Sequence, residues 1–237
     1  MNAVIEVVRF LNLKKAADRT SHQRRHFTPQ TLQFMPMIPI DQGKETQMRP
    51  TTKERLVNAG ADRFRELGYS ACSVQEIVDQ AGVPKGSFYN HFKTKEAFAV
   101  EVVANYVAST RRDILKDSGT TPLNRIAHHF RHLLESHEKA QYNRGCLIVN
   151  LTAETSDSIP LLRETLNASL TDWIDLLSET IREGQTGGEI KSDLEPAKFA
   201  RFLIDAYEGA VLRMKVSNAN NPLENFYSIA MSLLAAS

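Results

Sequence analysis

Cysteine is scarce in this chain of 237 residues: only Cys72 and Cys146 occur, and neither belongs to a CxxC or CxxH pair. That argues against a disulfide scaffold or a structural zinc site and fits a reducing, cytoplasmic compartment. No apolar run approaches the roughly 18 residues of a membrane span, so no membrane partner is expected. The opening MNAVIEVVRFLNLKK is interrupted by Glu6 and Arg9 and leads to no small-residue cleavage site, which argues against a secretory signal. Neither sign of charge is in excess: 29 Lys and Arg face 28 Asp and Glu, for a net charge of +1. A nucleic-acid role would therefore have to come from the local placement of charge. Alternating β patterns and internal repeats are also missing. His128 and His132 stand at i, i+4, a spacing able to bind a metal, but no third ligand accompanies them, so neither metal nor cofactor is expected. These two, with His129 and His137, are expected on a solvated or pocket-edge face.

What is present is ordinary: 42% hydrophobic and 24% charged residues, enough chain for a real core. Residues 1–48, with scattered Pro, Gln and charge, show no sustained period and read as a flexible leader. Regular helical patterning begins just after Met48, which suggests that the native start lies there and the leader is over-annotated. From Thr51 onward the chain reads as helix throughout. Thr51 with Glu54 forms a capping box and Gly68 a stop; Ser73 with Glu76 forms a second box, and Gly82 breaks that helix after barely two turns. Further helices are expected at about 95–116, 122–140, 146–154, 160–184, 196–216 and 222–236. The stripes Leu162, Leu166, Ser169, Trp173, Leu177 and Phe199, Phe202, Leu203, Ala206, Ala210 both read as core.

Residues 81–92, AGVPKGSFYNHF, answer the question of where charge is placed. Helix, tight turn at Gly82, helix is the geometry of a helix-turn-helix, whose second helix enters the DNA major groove. Val83 and Phe88 face the small core, and Phe92 is expected there too. Gly86 allows close approach to DNA, and Lys85, Ser87, Tyr89, Asn90 and His91 point outward. No acidic residue occurs from Gln80 to Lys95, while Lys85, Lys93 and Lys95 do, so this surface attracts phosphate.

The segment GYSACSVQEIVDQAGVPKGSFYNHFKTKEAF resembles the DNA-binding signature of the TetR family of bacterial transcriptional regulators, over roughly residues 52–98. The resemblance implies an all-α homodimer: a three-helix DNA-binding domain at 49–96, and a C-terminal domain at 97–237 that binds a small ligand and dimerises. By position it implies that Lys85, Gly86, Ser87, Tyr89, Asn90 and His91 form the recognition surface, that Lys95 meets phosphate, and that Thr52 and Ser73 contact the DNA backbone. Pro84 stands where the family commonly has serine, and Cys72 where it often has threonine.

In the second half, YNRGCLIVNLTAE at 142–154 resembles a GC segment seen in TetR-like regulators with reactive or small organic effectors. Gly145 marks a helix start there, where the dipole and Arg144 would favour a Cys146 thiolate. Cys146 is thus a candidate electrophile or oxidant sensor beside the plainer reading of a small buried residue. Tyr142, Phe130, Trp173 and Tyr207 are candidates to line an effector pocket, or equally to be core. The function expected is a ligand-responsive DNA-binding regulator, a repressor released from a palindromic operator by a small organic or reactive effector, and not an enzyme. Two alternatives stay open: a helical thiol enzyme using Cys146, and a DNA-binding protein without an effector.

Overall fold

A computed structural model describes residues 49–155 and 157–236; the expectations for residues 1–48 lie outside it. Among the described residues the secondary structure is nine α-helices and one 3-10 turn, with a single isolated β-bridge between Ile190 and Ala235. The all-α class follows.

Helix α1, Thr52–Leu67, begins with the capping box: the Thr51 hydroxyl accepts from Glu54 N at 3.2 Å and the Glu54 carboxylate accepts from Thr51 N at 2.8 Å. Helix α2, Val74–Ala81, repeats the device with Ser73 and Glu76. It ends at Gly82, whose φ of 64° is left-handed and would strain a residue bearing a Cβ. Arg55 on α1 locks this turn, its guanidinium donating to Ala81 O at 2.6 Å and Gly82 O at 3.0 Å, so carbonyls orphaned by the helix end are satisfied. The chain then enters α3, Lys85–His91, with Pro84 at its cap.

Aromatic packing holds α3 against its neighbours. Phe98 of α4, Lys95–Ser109, lies 5.0 Å from Phe88, 4.8 Å from Phe92 and 5.9 Å from Phe64 between ring centroids. Helix α1 comes close enough to α4 that a Cβ on Gly60 would collide with the Phe98 ring.

The helix expected to run from 95 to 116 stops earlier. Arg111 adopts a left-handed φ of 52° and residues Arg112–Lys116 form a 3-10 turn. The break turns Leu115 into the core and lets the Arg112 guanidinium reach Ser169 O at 2.7 Å, over the Trp173 ring at 4.9 Å. Continuing the helix would forgo both.

The remaining helices follow the expected boundaries within a few residues: α5 Pro122–Lys139, α6 Leu147–Thr155, α7 Pro160–Thr186, α8 Pro196–Ser217 and α9 Asn221–Leu234. Helix α8 packs on α7 and α9, and α5 on α7 and α9. The α7 stripe is core as expected for Leu162, Leu166, Trp173 and Leu177. Of the α8 stripe, Leu203 alone is fully buried. The covered face runs through Leu203, Ile204, Tyr207, Val211 and Met214, while Phe202 is 48% exposed and, with Ala206, Gly209 and Ala210, lines an open groove shared with Phe226 and Ile229 of α9. The period of a helix permits two apolar faces, and only neighbours decide which one is covered. His129 and His137, expected on a solvated face, are buried for the same reason: both fall on the side of α5 turned toward α7 and α8.

Truncating Phe98 to alanine removes the ring that α1, α3 and α4 share. Chemical denaturation should show a loss of about 3–5 kcal/mol; a change below about 1 kcal/mol would mean that the ring cluster does not hold α3.

Candidate nucleic-acid interface and effector core

Seven residues of α3 span two turns, about 10 Å, which fits a major groove about 12 Å wide. Phe88 is fully buried. Lys85, Gly86, Tyr89, Asn90 and His91 are exposed, with Gly86 and Asn90 on the side away from Phe88, and Ser87 is half-buried. Tyr89 keeps 56% of its surface while its ring packs edge-on against Phe88, so its hydroxyl reaches out from a fixed base. A Cβ on Gly86 would meet nothing within 4 Å. Lys85 and Lys93 are exposed on this acid-free surface.

The three flanking positions differ from one another. Thr52 is half-buried at the start of α1, and Ser73 is exposed with its hydroxyl accepting from Glu76 N. Lys95 is half-buried, its ammonium donating to Tyr69 O and lying 4.2 Å from the centre of the Tyr69 ring. Its charge thus braces the α1–α2 turn. Cys72 is fully buried, and burial pushes its thiol up to about 11.

Of the effector candidates, Phe130, Trp173 and Tyr207 come together, with centroid separations of 6.4 Å, 5.9 Å and 5.8 Å. Tyr142 does not join them; it sits half-buried in the α5–α6 connection with a φ of 60°. Cys146 lies against the Glu208 carboxyl and the inward hydroxyl end of Tyr106.

The expected thiolate at Cys146 is overturned. Arg144 turns outward to pair with Asp62 and Glu66 of α1, and Cys146 is only 4% exposed. Burial and the neighbouring Glu208 push the thiol well above its ordinary range, outweighing any dipole effect.

Around it the core is unusually polar. Burial raises the Glu208 carboxyl to about 7 and lowers the Arg112 guanidinium to about 10. It lowers His129 to about 3, with Arg112 adding repulsion, and His137 to about 4. His129 is therefore neutral, and since its Nε2 accepts from Trp173 Nε1 at 3.0 Å, its proton sits on Nδ1. His137 Nε2 meets the Tyr207 hydroxyl at 2.8 Å. Among these groups Arg112 Nε has no hydrogen-bond partner, while His129 Nδ1 is directed at the Arg111 carbonyl and the Glu208 carboxyl at the Cys146 thiol, neither in full hydrogen-bond geometry.

Sequence reasoning passed over Arg112, His129 and Glu208 as a group. The one available signal was Glu208 itself, a carboxylate beside the buried face of α8. Glu154 was missed as well. At the far end of α6 from Cys146 it accepts from Tyr69 N and Ser70 N, both at 2.6 Å, in the turn that leads into α2. Helix α6 thus joins the polar core to the helix-turn-helix.

The chain is similar to known proteins over most of its described length. Residues 56–102 match the model described as bacterial regulatory proteins, tetR family, and residues 122–230 match the tetracyclin repressor-like C-terminal domain. The transcriptional repressor DhaR of Mycobacterium sp. (strain GP1) is 36% identical over 192 residues, covering 80% of this chain and 95% of that protein. Among solved structures, a regulatory protein TetR from Rhodobacter sphaeroides superposes with a TM-score of 0.72 at 30% identity, over 78% of this chain and 99% of the other. The reduced form of NemR from E. coli gives 0.69 at 29% identity, over 78% and 98%.

The Glu208 carboxyl carries a pH signature. Its folded value of about 7 exceeds the ordinary 4.5, so the native state holds a proton that the unfolded chain releases. Stability should fall as pH rises from 4.5 through 7 and stay reduced above that. Glu208→Gln should match wild type at pH 4 and exceed it by ~3 kcal/mol at pH 8.5 in urea melts, the worth of the shift at about 1.4 kcal/mol per pKa unit. A difference independent of pH would show that Glu208 is not buried in this way.

Proposed function

Because this chain belongs to the TetR family of bacterial regulatory proteins, and so to the DNA-binding regulators of transcription, we propose that it is a cytoplasmic homodimeric repressor released from a near-palindromic operator by a small organic effector. The observation that carries the reading is the acid-free outer face of α3, pinned by an aromatic inner face to helices that cannot yield without unpacking Phe98. In this reading residues 49–96 read DNA and residues 97–237 bind effector and partner. Lys85 and Lys93 neutralise phosphates, while Asn90, Tyr89 and His91 address base edges.

The open groove between α8 and α9, with Phe202 and Ile229 exposed along it, supports dimerisation through a four-helix bundle. Two copies related by a twofold axis would then present α3 to successive major grooves, about 34 Å apart. An effector releases DNA only by binding the mismatched spacing of the two heads more tightly, since equal affinity for both states moves nothing. Helix α6 is the connecting part: its start faces the polar core and Glu154 at its end holds the turn before α2.

A reactive effector attacking Cys146 is the second reading. Suppressed ionisation of the thiol weighs against it in the resting protein, and weighs equally against an enzyme that uses Cys146 as nucleophile.

Fluorescence anisotropy with DNA from upstream of the gene tests the proposal. Dimeric protein should bind at low salt, and an inert duplex response would end it. Lys85→Ala should weaken binding on every sequence and reduce the salt slope by about 1. Asn90→Ala should change preference at one base pair by ~1–3 kcal/mol. Unaltered slope and preference in the two variants would remove α3 from the interface.

A further inference from the structure

The C-terminal core contains a buried cation that makes no ion pair with any of the described residues. Arg112 is 7% exposed. Its partners are dipoles: Ser169 O at 2.7 Å, Ser169 Oγ at 3.4 Å and the Trp173 ring at 4.9 Å, while Nε has no acceptor. The negative groups that act on it do so from a distance. Asp172 is on the exposed side of α7, and the Cys146 and Tyr106 protons are held firmly by burial. Glu208 is the natural counter-ion, yet its carboxyl faces the Cys146 thiol rather than the guanidinium, and burial outweighs the pull of Arg112 on its proton. An unpaired buried charge costs several kcal/mol, which a protein retains only where something else compensates it.

The neighbouring groups have the same polarity. His129 is completely buried, with its Nδ1–H directed at the Arg111 carbonyl but short of full hydrogen-bond geometry. Glu208, when protonated, offers an O–H. Beside them Phe130, Trp173 and Tyr207 form an apolar wall. Buried donors around a cation, with an aromatic wall alongside, suit an anionic head on a short apolar body.

We propose that Arg112, His129 and Glu208 form the recognition site for a small organic monocarboxylate, whose carboxylate pairs with Arg112 and whose hydrocarbon part lies on Phe130, Trp173 and Tyr207. The proposal rests on the reading of this domain as the effector domain and adds the chemical class of the effector. No covalent step is involved. Charge selects the ligand, so the isosteric amide and the matching amine are excluded by the same geometry.

Calorimetry on the full-length protein, with straight-chain carboxylates from acetate to octanoate and with benzoate, tests it. Each is compared with its primary amide and amine, and sodium chloride serves as the ionic control. At least one carboxylate should saturate the protein and bind about tenfold or more tighter than its amide. Arg112→Met should lower that affinity about tenfold or more, and Arg112→Lys should recover part of it. The Lys variant keeps the test valid if the Met variant fails to fold. Saturation by no carboxylate, equal or tighter binding of an amide or amine, or full affinity in Arg112→Met would each overturn the proposal. Operator affinity measured on the same samples separates the two ideas. A carboxylate that saturates without weakening DNA binding supports the site while overturning its role as an effector switch, and a protein that never binds DNA overturns the regulator reading alone.

Discussion

Everything at the DNA-facing end depends on Phe98 being dry on all sides. Its ring is shared by Phe64 of α1 and by Phe88 and Phe92 at the inner face and end of α3, and the glycine at position 60 exists to let α1 reach it. A seven-residue helix has little intrinsic stability in water, since nucleation alone is unfavourable at that length. What keeps α3 helical is burial of one aromatic face, and that same burial leaves Lys85, Tyr89, Asn90 and His91 in solvent. Packing and recognition are two consequences of one contact.

At the opposite end the energetic logic reverses. Burial there encloses Arg112, His129, His137 and Glu208, groups that water would otherwise solvate. Each responds by shifting toward its neutral form, except the guanidinium, which at about 10 stays charged near neutrality. A core assembled for stability alone would use apolar residues of the same volume. Helix α6 lies between the two regimes, about 14 Å of rigid backbone from Leu147 to Thr155 with polar chemistry at one end and the Glu154 clamp at the other.

Much of the helix-turn-helix was legible in the sequence because its signals are local. Two capping boxes, the left-handed Gly82 and the acid-free run all lie within a few residues of the positions they control, and each appears in the structure where the pattern puts it. Lys95 shows what local pattern leaves out: its position suggested a phosphate contact, and the fold adds a bond from its ammonium to a carbonyl 26 residues earlier. The effector core was hardly legible. Phe130, Trp173 and Tyr207 could be named as aromatic candidates, whereas Tyr142 belongs elsewhere and Cys146 has a suppressed thiolate rather than a favoured one.

By itself, then, the sequence determined most of the helices, their caps and the exposed residues of α3, because hydrogen bonding and period act over four residues or fewer. Tertiary structure alone decided which of two apolar faces of α8 is covered, where the 95–116 segment breaks, and that Arg112 from the 3-10 turn lies buried within electrostatic reach of His129 from α5 and Glu208 from α8. Burial is a property of neighbours brought from distant parts of the chain, and the protonation state of a buried group has no existence before they arrive.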